Sequence, residues 1–229
     1  MSTSEHICLA CENKSSCFRQ LSVDELDNIS PKRVELRYKK GEVIAKQGSF
    51  VTHILFVQKG LTKVYKEINE KDNLILSLYP KGTLIGLPSL FRDDFLQYSV
   101  AAVEDTTVCA IDKKTIENLV KTNGEFAASI ISTMTKCTFY HFDKIFSLTQ
   151  KQINGRIAET LLFLAKYIYY SDKFHLSLTR KDIAEFTGLS VMSVVRALKD
   201  FKESGLISDN NGEMELLQKD SLRKISELG

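Results

Sequence analysis

Between Glu125 and Asn154 the chain has neither glycine nor proline, and Ala127, Ile130, Met134, Cys137, His141, Ile145 and Leu148 recur at steps of three and four. An unbroken run with this period predicts one long amphipathic helix, a rod around which the rest of the chain must be arranged. A second stripe, Phe126, Phe139, Phe142 and Phe146, lies on another side of it. Two apolar stripes exceed the need of a single-faced surface helix. The helix is therefore expected to pack on its own chain with one side and on a second copy with the other, the first stripe forming the dimer seam. Burial of the whole helix within one chain is the alternative.

Ahead of the rod the period is different. From Pro31 to Asp112, glycines at 41, 48, 60, 82 and 86 and a polar corner at residues 69–72 divide short strand-like runs, among them 61–68, 73–79, 98–103 and 106–111. Short strands at this spacing predict a β sandwich or jelly roll. After the rod, residues 153–170 again read as helical, and an alternating strand runs from Phe174 to Leu178. The fold class is thus α+β, divided into a cysteine-rich arm (1–20), a jelly roll (21–112), a dimerisation helix (113–150) and a C-terminal domain (151–229). Hydrophobic residues make up 43% of the chain and prolines number 3, which excludes collagen-like and disordered classes. No internal repeat or low-complexity tract interrupts this plan.

The C-terminal domain carries a local signal. Thr179-Arg-Lys-Asp182 has the form of a capping box, Gly188 can take the positive φ of a tight interhelical turn, and Ser190 can cap a following helix. Ala184, Gly188 and Val194 stand where a helix-turn-helix needs a small crossing residue, a turn glycine and a β-branched anchor. Gly205 ends the second helix, and Asn211-Gly212 closes a hairpin, giving a wing. Overall charge advertises no partner, at 31 basic against 29 acidic residues. Residues 173–202, however, hold Lys173, Arg180, Lys181, Arg196, Lys199 and Lys202 against Asp182, Glu185 and Asp200, an excess suited to double-stranded DNA.

Five cysteines without an export signal at residues 1–11 point to a reducing, cytoplasmic setting. The longest clean apolar run, Leu161 to Ala165, spans no membrane. Cys8-x2-Cys11-x5-Cys17 puts three thiols on a short arm able to wrap one metal centre, and the distant Cys109 can complete four thiolates. Structural zinc or a cluster-free thiol switch would use the same residues. Cys137 fits none of these sets and reads as a helix-packing residue. A metal-dependent jelly-roll enzyme is disfavoured, because His6, His53, His141 and His175 are scattered; a phosphate loop and a nucleophile elbow are also absent, so no enzyme activity is expected.

The order of elements, the phrase Lys40-Gly-Glu-Val-Ile-Ala-Lys-Gln-Gly48 and the segment Leu178 to Ile207 resemble the CRP/FNR superfamily of bacterial transcription regulators. The resemblance implies a cyclic-nucleotide-binding-like jelly roll, a long dimerisation helix and a winged helix-turn-helix. It also implies a homodimer on palindromic DNA that meets RNA polymerase. Arg196 then matches the arginine that reads guanine, and Arg180 a phosphate contact; Met192 stands where many relatives carry a glutamate. The resemblance of this segment implies Arg180, Ser190, Met192, Ser193, Arg196 and Lys199 as the DNA-contacting residues. The glutamate and Arg-Ser/Thr pair of cyclic AMP readers have no counterpart in residues 82–91 or in Gln97-Tyr98-Ser99, so cyclic AMP is not the expected effector. Cys8, Cys11, Cys17 and Cys109 look like the ligands of the [4Fe–4S] cluster in FNR-type oxygen sensors. That likeness implies a cluster that orders the arm, promotes dimerisation and permits DNA binding until oxygen destroys it.

Overall fold

The computed structural model describes residues 8, 11, 13–69, 72–91 and 95–229. His6, most of the export-signal reading at residues 1–11, and residues 70 and 71 of the polar corner lie outside them. The chain forms two compact units, residues 1–66 with 78–139, and residues 67–77 with 140–229.

In the first unit, Ser22 and Glu25 exchange hydrogen bonds in a capping box that starts α1 (Val23–Ile29). Eight strands follow: β1 (Arg33–Tyr38), β2 (Val43–Ala45), β3 (His53–Lys59), β4 (Leu61–Glu67), β5 (Asn73–Pro80), β6 (Leu84–Ile85), β7 (Ser99–Ala102) and β8 (Thr106–Asp112). They form two four-stranded sheets, ordered β1-β8-β3-β6 and β2-β7-β4-β5, as the glycine punctuation predicts. Between β3 and β4, Gly60 has φ +90°, and a Cβ there would stand 2.6 Å from Thr106 Oγ1, so no other residue fits this turn without displacement. Cys109 on β8 lies opposite Phe56 on β3 and Glu35 on β1.

Two helices follow β8. Asp112 accepts from Thr115 N to cap α2 (Lys113–Thr122), and α3 (Gly124–Gln150) is the long rod. Asn123 makes the corner: its Oδ1 accepts from Phe126 N at 2.9 Å, and its Nδ2 donates to the Glu25 carboxylate at 2.9 Å. The unit's core joins arm, barrel and rod, because Phe18 stacks on Phe126 with ring centres 6.2 Å apart and meets Phe56 at 5.6 Å.

In the second unit, α4 (Ile153–Phe163) runs into a wider turn at Leu164–Ile168. Then come β9 (Lys173–His175), α5 (Arg180–Thr187), α6 (Val191–Glu203), β10 (Ile207–Asn210), β11 (Glu213–Leu216) and α7 (Lys219–Leu228). The wing is a three-stranded sheet, β10-β11-β9. Lys144, near the end of α3, donates to the Phe186 carbonyl and lies 3.0 Å from the centre of the Phe186 ring. Burial drives its ammonium down to about 7 against the upward pull of Glu159.

Between that value and the usual 10.5, the unfolded chain binds more protons at this site than the folded one. Stability must therefore rise with pH across the window, by at most about 1.4 kcal/mol per pH unit. Below it, lysine is charged in both states and the full cost of burying the ammonium remains. Lys144→Met should flatten the rise of melting temperature between pH 7 and pH 9, and an unchanged profile would refute the assignment.

Candidate functional site

The helix-turn-helix is built as its residues dictate. Thr179 Oγ1 accepts from Asp182 N, and the Asp182 carboxylate accepts from Thr179 N at 2.9 Å, which fixes the start of α5. Gly188 closes α5 at φ +64°; a Cβ there would lie 3.2 Å from Leu148 Cδ2. Ser190 Oγ accepts from Ser193 N at 3.0 Å and starts α6. Ile183, Ala184, Phe186, Val194, Ala197, Leu198 and Phe201 are buried, locking the two helices together. The opposite face of α6 is open: Met192 is 77% exposed, Val195 47% and Val191 43%, with Arg196 and Lys199 beside them.

Asn211 and Gly212 take φ of 54° and 90°, the pattern of a two-residue turn of type I′, and form the wing hairpin. Arg180 pairs with Asp209 of that wing, and Lys202 Nζ donates to the Asp209 carbonyl at 2.6 Å. Lys199 meets Glu203 one turn on at 3.6 Å. Exposed pairs of that kind contribute about 0.3–0.5 kcal/mol, too little to withhold a lysine from a phosphate.

On α3 the predicted seam needs correction. Ile130 is 3% exposed within the core of the first unit, and Cys137 Sγ meets Tyr79 OH at 3.6 Å, so neither is free for a partner. Leu148 packs beside Gly188, and Ala127 and His141 are half-buried. Burial, helped by Lys144, lowers the His141 pKa, which favours its neutral form. Met134 and Ile145 do lie on the open face, with Ile131, Phe139, Phe142 and Phe146, each of these four at least 59% exposed. At 100° per residue the open stripe is turned about a quarter of the way round from the predicted one. The reason is that Phe126 and Ile130 both turn into the arm–barrel core, and periodicity alone does not say which stripe a chain buries against itself.

All five cysteines are free thiols. Cys8, Cys11 and Cys109 line one small cavity together with Lys14, Phe18 and Arg33. Cys17 is buried nearby but turned toward α3, its Sγ 3.4 Å from Thr133 Oγ1. Thus the fold gathers three of the four predicted thiols, and among the described residues no group of three or more His, Cys, Asp or Glu is close enough to hold one metal ion as it stands. Arg33 Nη1 donates to Cys109 Sγ at 3.5 Å, while Arg33 Nε is buried with no hydrogen-bond partner. Burial raises the Cys109 pKa, and the Arg33 charge and hydrogen bond oppose that rise. A thiol set beside a guanidinium with an unused donor suits an anionic, thiolate-held group.

Sequence reasoning missed Arg33, Asp209, Val191 and Val195. Projecting α6 with Val194, Ala197 and Phe201 inward would have found the two valines, whereas nothing local marks Arg33. Residues 82–91 and 95–99 present Gly86 at φ +103° and a Tyr98 phenol pushed by burial up to about 12.

The family model of the cyclic nucleotide-binding domain matches residues 35–123, and that of the Crp-like helix-turn-helix domain matches residues 155–225. The fumarate and nitrate reduction regulatory protein of Escherichia coli K12 is 22% identical over 96% of this chain and 90% of its own length. The cAMP-activated global transcriptional regulator CRP of Salmonella typhimurium is 28% identical over 75% of this chain and 84% of its own. FixK2 from Bradyrhizobium japonicum has the same fold, with a TM-score of 0.78 and 20% identity over 84% of this chain and 96% of that one. Among the described residues no helix is long and apolar enough to cross a membrane.

Proposed function

Because the chain belongs to the CRP/FNR family of DNA-binding transcription regulators, whose members are not enzymes, we propose that it is a redox- or oxygen-responsive member controlled by a [4Fe–4S] cluster. One observation carries this reading: Cys8, Cys11 and Cys109 face one cavity into which a buried arginine brings an unpartnered donor. Cys8, Cys11 and Cys109 would hold the cluster, with Cys17 the fourth thiolate. When bound, such a cluster supplies iron that oxygen can oxidise, with loss of the metal.

The chain's own residues do the rest. Phe18 pins the arm between β3 and α3, and Arg33 keeps positive charge beside Cys109. A homodimer forms along the open stripe from Ile131 to Phe146, and two winged domains then hold the two halves of a palindrome. Arg196 reads guanine, Arg180 and Lys199 meet phosphates, and Ser190, Met192 and Ser193 complete the contact surface. The arm (1–20), jelly roll (21–112), dimerisation helix (113–150) and winged domain (151–229) are the proposed working parts. RNA polymerase is the further protein partner, the cytoplasm the setting, and cyclic AMP is not the effector.

Protein purified without oxygen should be brown and carry about four irons per chain. Cys8→Ser, Cys11→Ser, Cys17→Ser and Cys109→Ser should each lose most of the colour, whereas Cys137→Ser should keep it. Colourless protein carrying zinc, or full iron in Cys109→Ser, would overturn the assignment.

Ile145→Glu sets like charges near a two-fold axis and should give monomers in sedimentation even in iron-loaded protein. A persistent dimer would move the seam elsewhere.

In DNA titrations, Arg196→Ala should lose roughly 1–3 kcal/mol of specific binding and relax one base pair per half-site. Arg180→Ala should instead weaken binding to all sequences alike and flatten the salt dependence by about one unit of slope. If both variants select the parent's motif with equal stringency, α6 does not read bases.

A further inference from the structure

We infer that α6 reads thymine by its 5-methyl group, through Val191, Met192 and Val195, so that the half-site sets A·T pairs beside the guanine met by Arg196. The inference rests on the DNA-binding reading above and gives it a base chemistry.

Exposure carries the argument. Buried anchors hold the inner side of α6, and an open face of a surface helix is ordinarily polar. Here Met192 is 77% exposed, Val195 47% and Val191 43%, in consecutive turns around Arg196. Hydrogen-bonding groups on the same turns are already engaged, since Ser190 Oγ and Ser193 Oγ lie 2.9 Å apart and Ser190 also caps the helix. Arg196 is therefore the principal polar reader, and the remaining surface offers apolar contact. The surrounding cations, Arg180, Lys199 and Lys202, match a polyanion and not an apolar protein partner. In the major groove the prominent apolar feature of a base edge is the thymine methyl.

Spacing agrees with this. Residues 192, 195 and 196 lie within about 6 Å along the helix axis at 1.5 Å per residue, less than two base-pair steps of about 3.4 Å. Methyls one or two pairs from the guanine are thus in reach. Val195 is the stricter reader, because a β-branched side chain in a helix keeps one rotamer, while Met192 adapts.

The test begins with selection from a randomised palindromic library by the full-length, anaerobically purified protein. Each dT of the selected half-site is then replaced by dU, which removes the methyl and nothing else. Binding should weaken about fourfold at each contacted dT, the change expected for one methyl-sized group returned to water, and should not change at dT outside the half-site. Where a contacted T·A pair is changed to C·G, 5-methyl-dC should bind more tightly than dC at that position. Val195→Ser should abolish the dU effect at one position while leaving it at the others and leaving the melting temperature unchanged. A half-site lacking dT within two pairs of its guanine, or binding indifferent to dU, overturns this inference alone. Failure to select any motif overturns the DNA reading and this inference with it.

Discussion

Phe18 is the residue through which the arm acquires a structure. Residues 13–21 are too few to enclose a core, yet Phe18 and Cys17 are buried because the Phe18 ring lies against Phe56 of β3 and Phe126 of α3. Burying such a ring contributes about 1.5–3 kcal/mol, and each aromatic pair adds about 0.5–1.5 kcal/mol. At about 1–2 kcal/mol per ordered backbone residue, that offsets the entropy of a few residues of the arm, the remainder falling to its other buried contacts. The same contact brings Cys8 and Cys11 to the wall where Cys109 faces inward, and fixes the first turn of α3. Arm, thiols and rod are thereby set by one aromatic cluster.

From that first turn the two sides of α3 follow. With Phe126 and Ile130 committed inward, helix geometry forces Ile131, Met134, Phe142 and Ile145 outward. These large apolar side chains stay uncovered along one stripe, the surface on which the proposed homodimer would pair. Pairing there links two reading heads, so the second half-site binds as an intramolecular event and the dimer gains affinity without a new contact. Phe18 thus touches both the arm that carries the thiols and the turn of α3 from which this stripe follows.

Legibility in the sequence follows the range of the interactions involved. The helix-turn-helix and its wing were readable residue by residue, because caps at Thr179 and Ser190, the positive φ of Gly188 and the Asn211-Gly212 turn are decided within four residues. The strands were readable from glycine punctuation. α1 and α7 were not predicted, being short helices whose apolar faces are defined by what they pack on, and the helix expected over 113–150 is broken at Asn123 into α2 and α3. The stripe expected to be the seam includes Ile130, which the core buries, since both stripes of α3 have helical period and only tertiary packing ranks them. Cysteine spacing says nothing of thiol direction: Cys17 turns to Thr133, 116 positions away in sequence. Arg33 was invisible for the same reason, its partner Cys109 lying 76 positions distant.

Arg180 ties the start of α5 to the wing. Its guanidinium pairs with Asp209, an arrangement that at first sight removes it from DNA. Five N–H donors in a planar fork allow one edge to hold a carboxylate while another meets a phosphate. Asp209 also fixes Lys202 through its carbonyl, so one residue of β10 orients two cations. The carboxylate reduces net attraction for DNA, but it spares Arg180 much of the rotamer entropy otherwise lost on binding. Affinity given up in charge is returned as register, and on the proposed reading register is what would let a single arginine and three apolar side chains on α6 meet their base pairs.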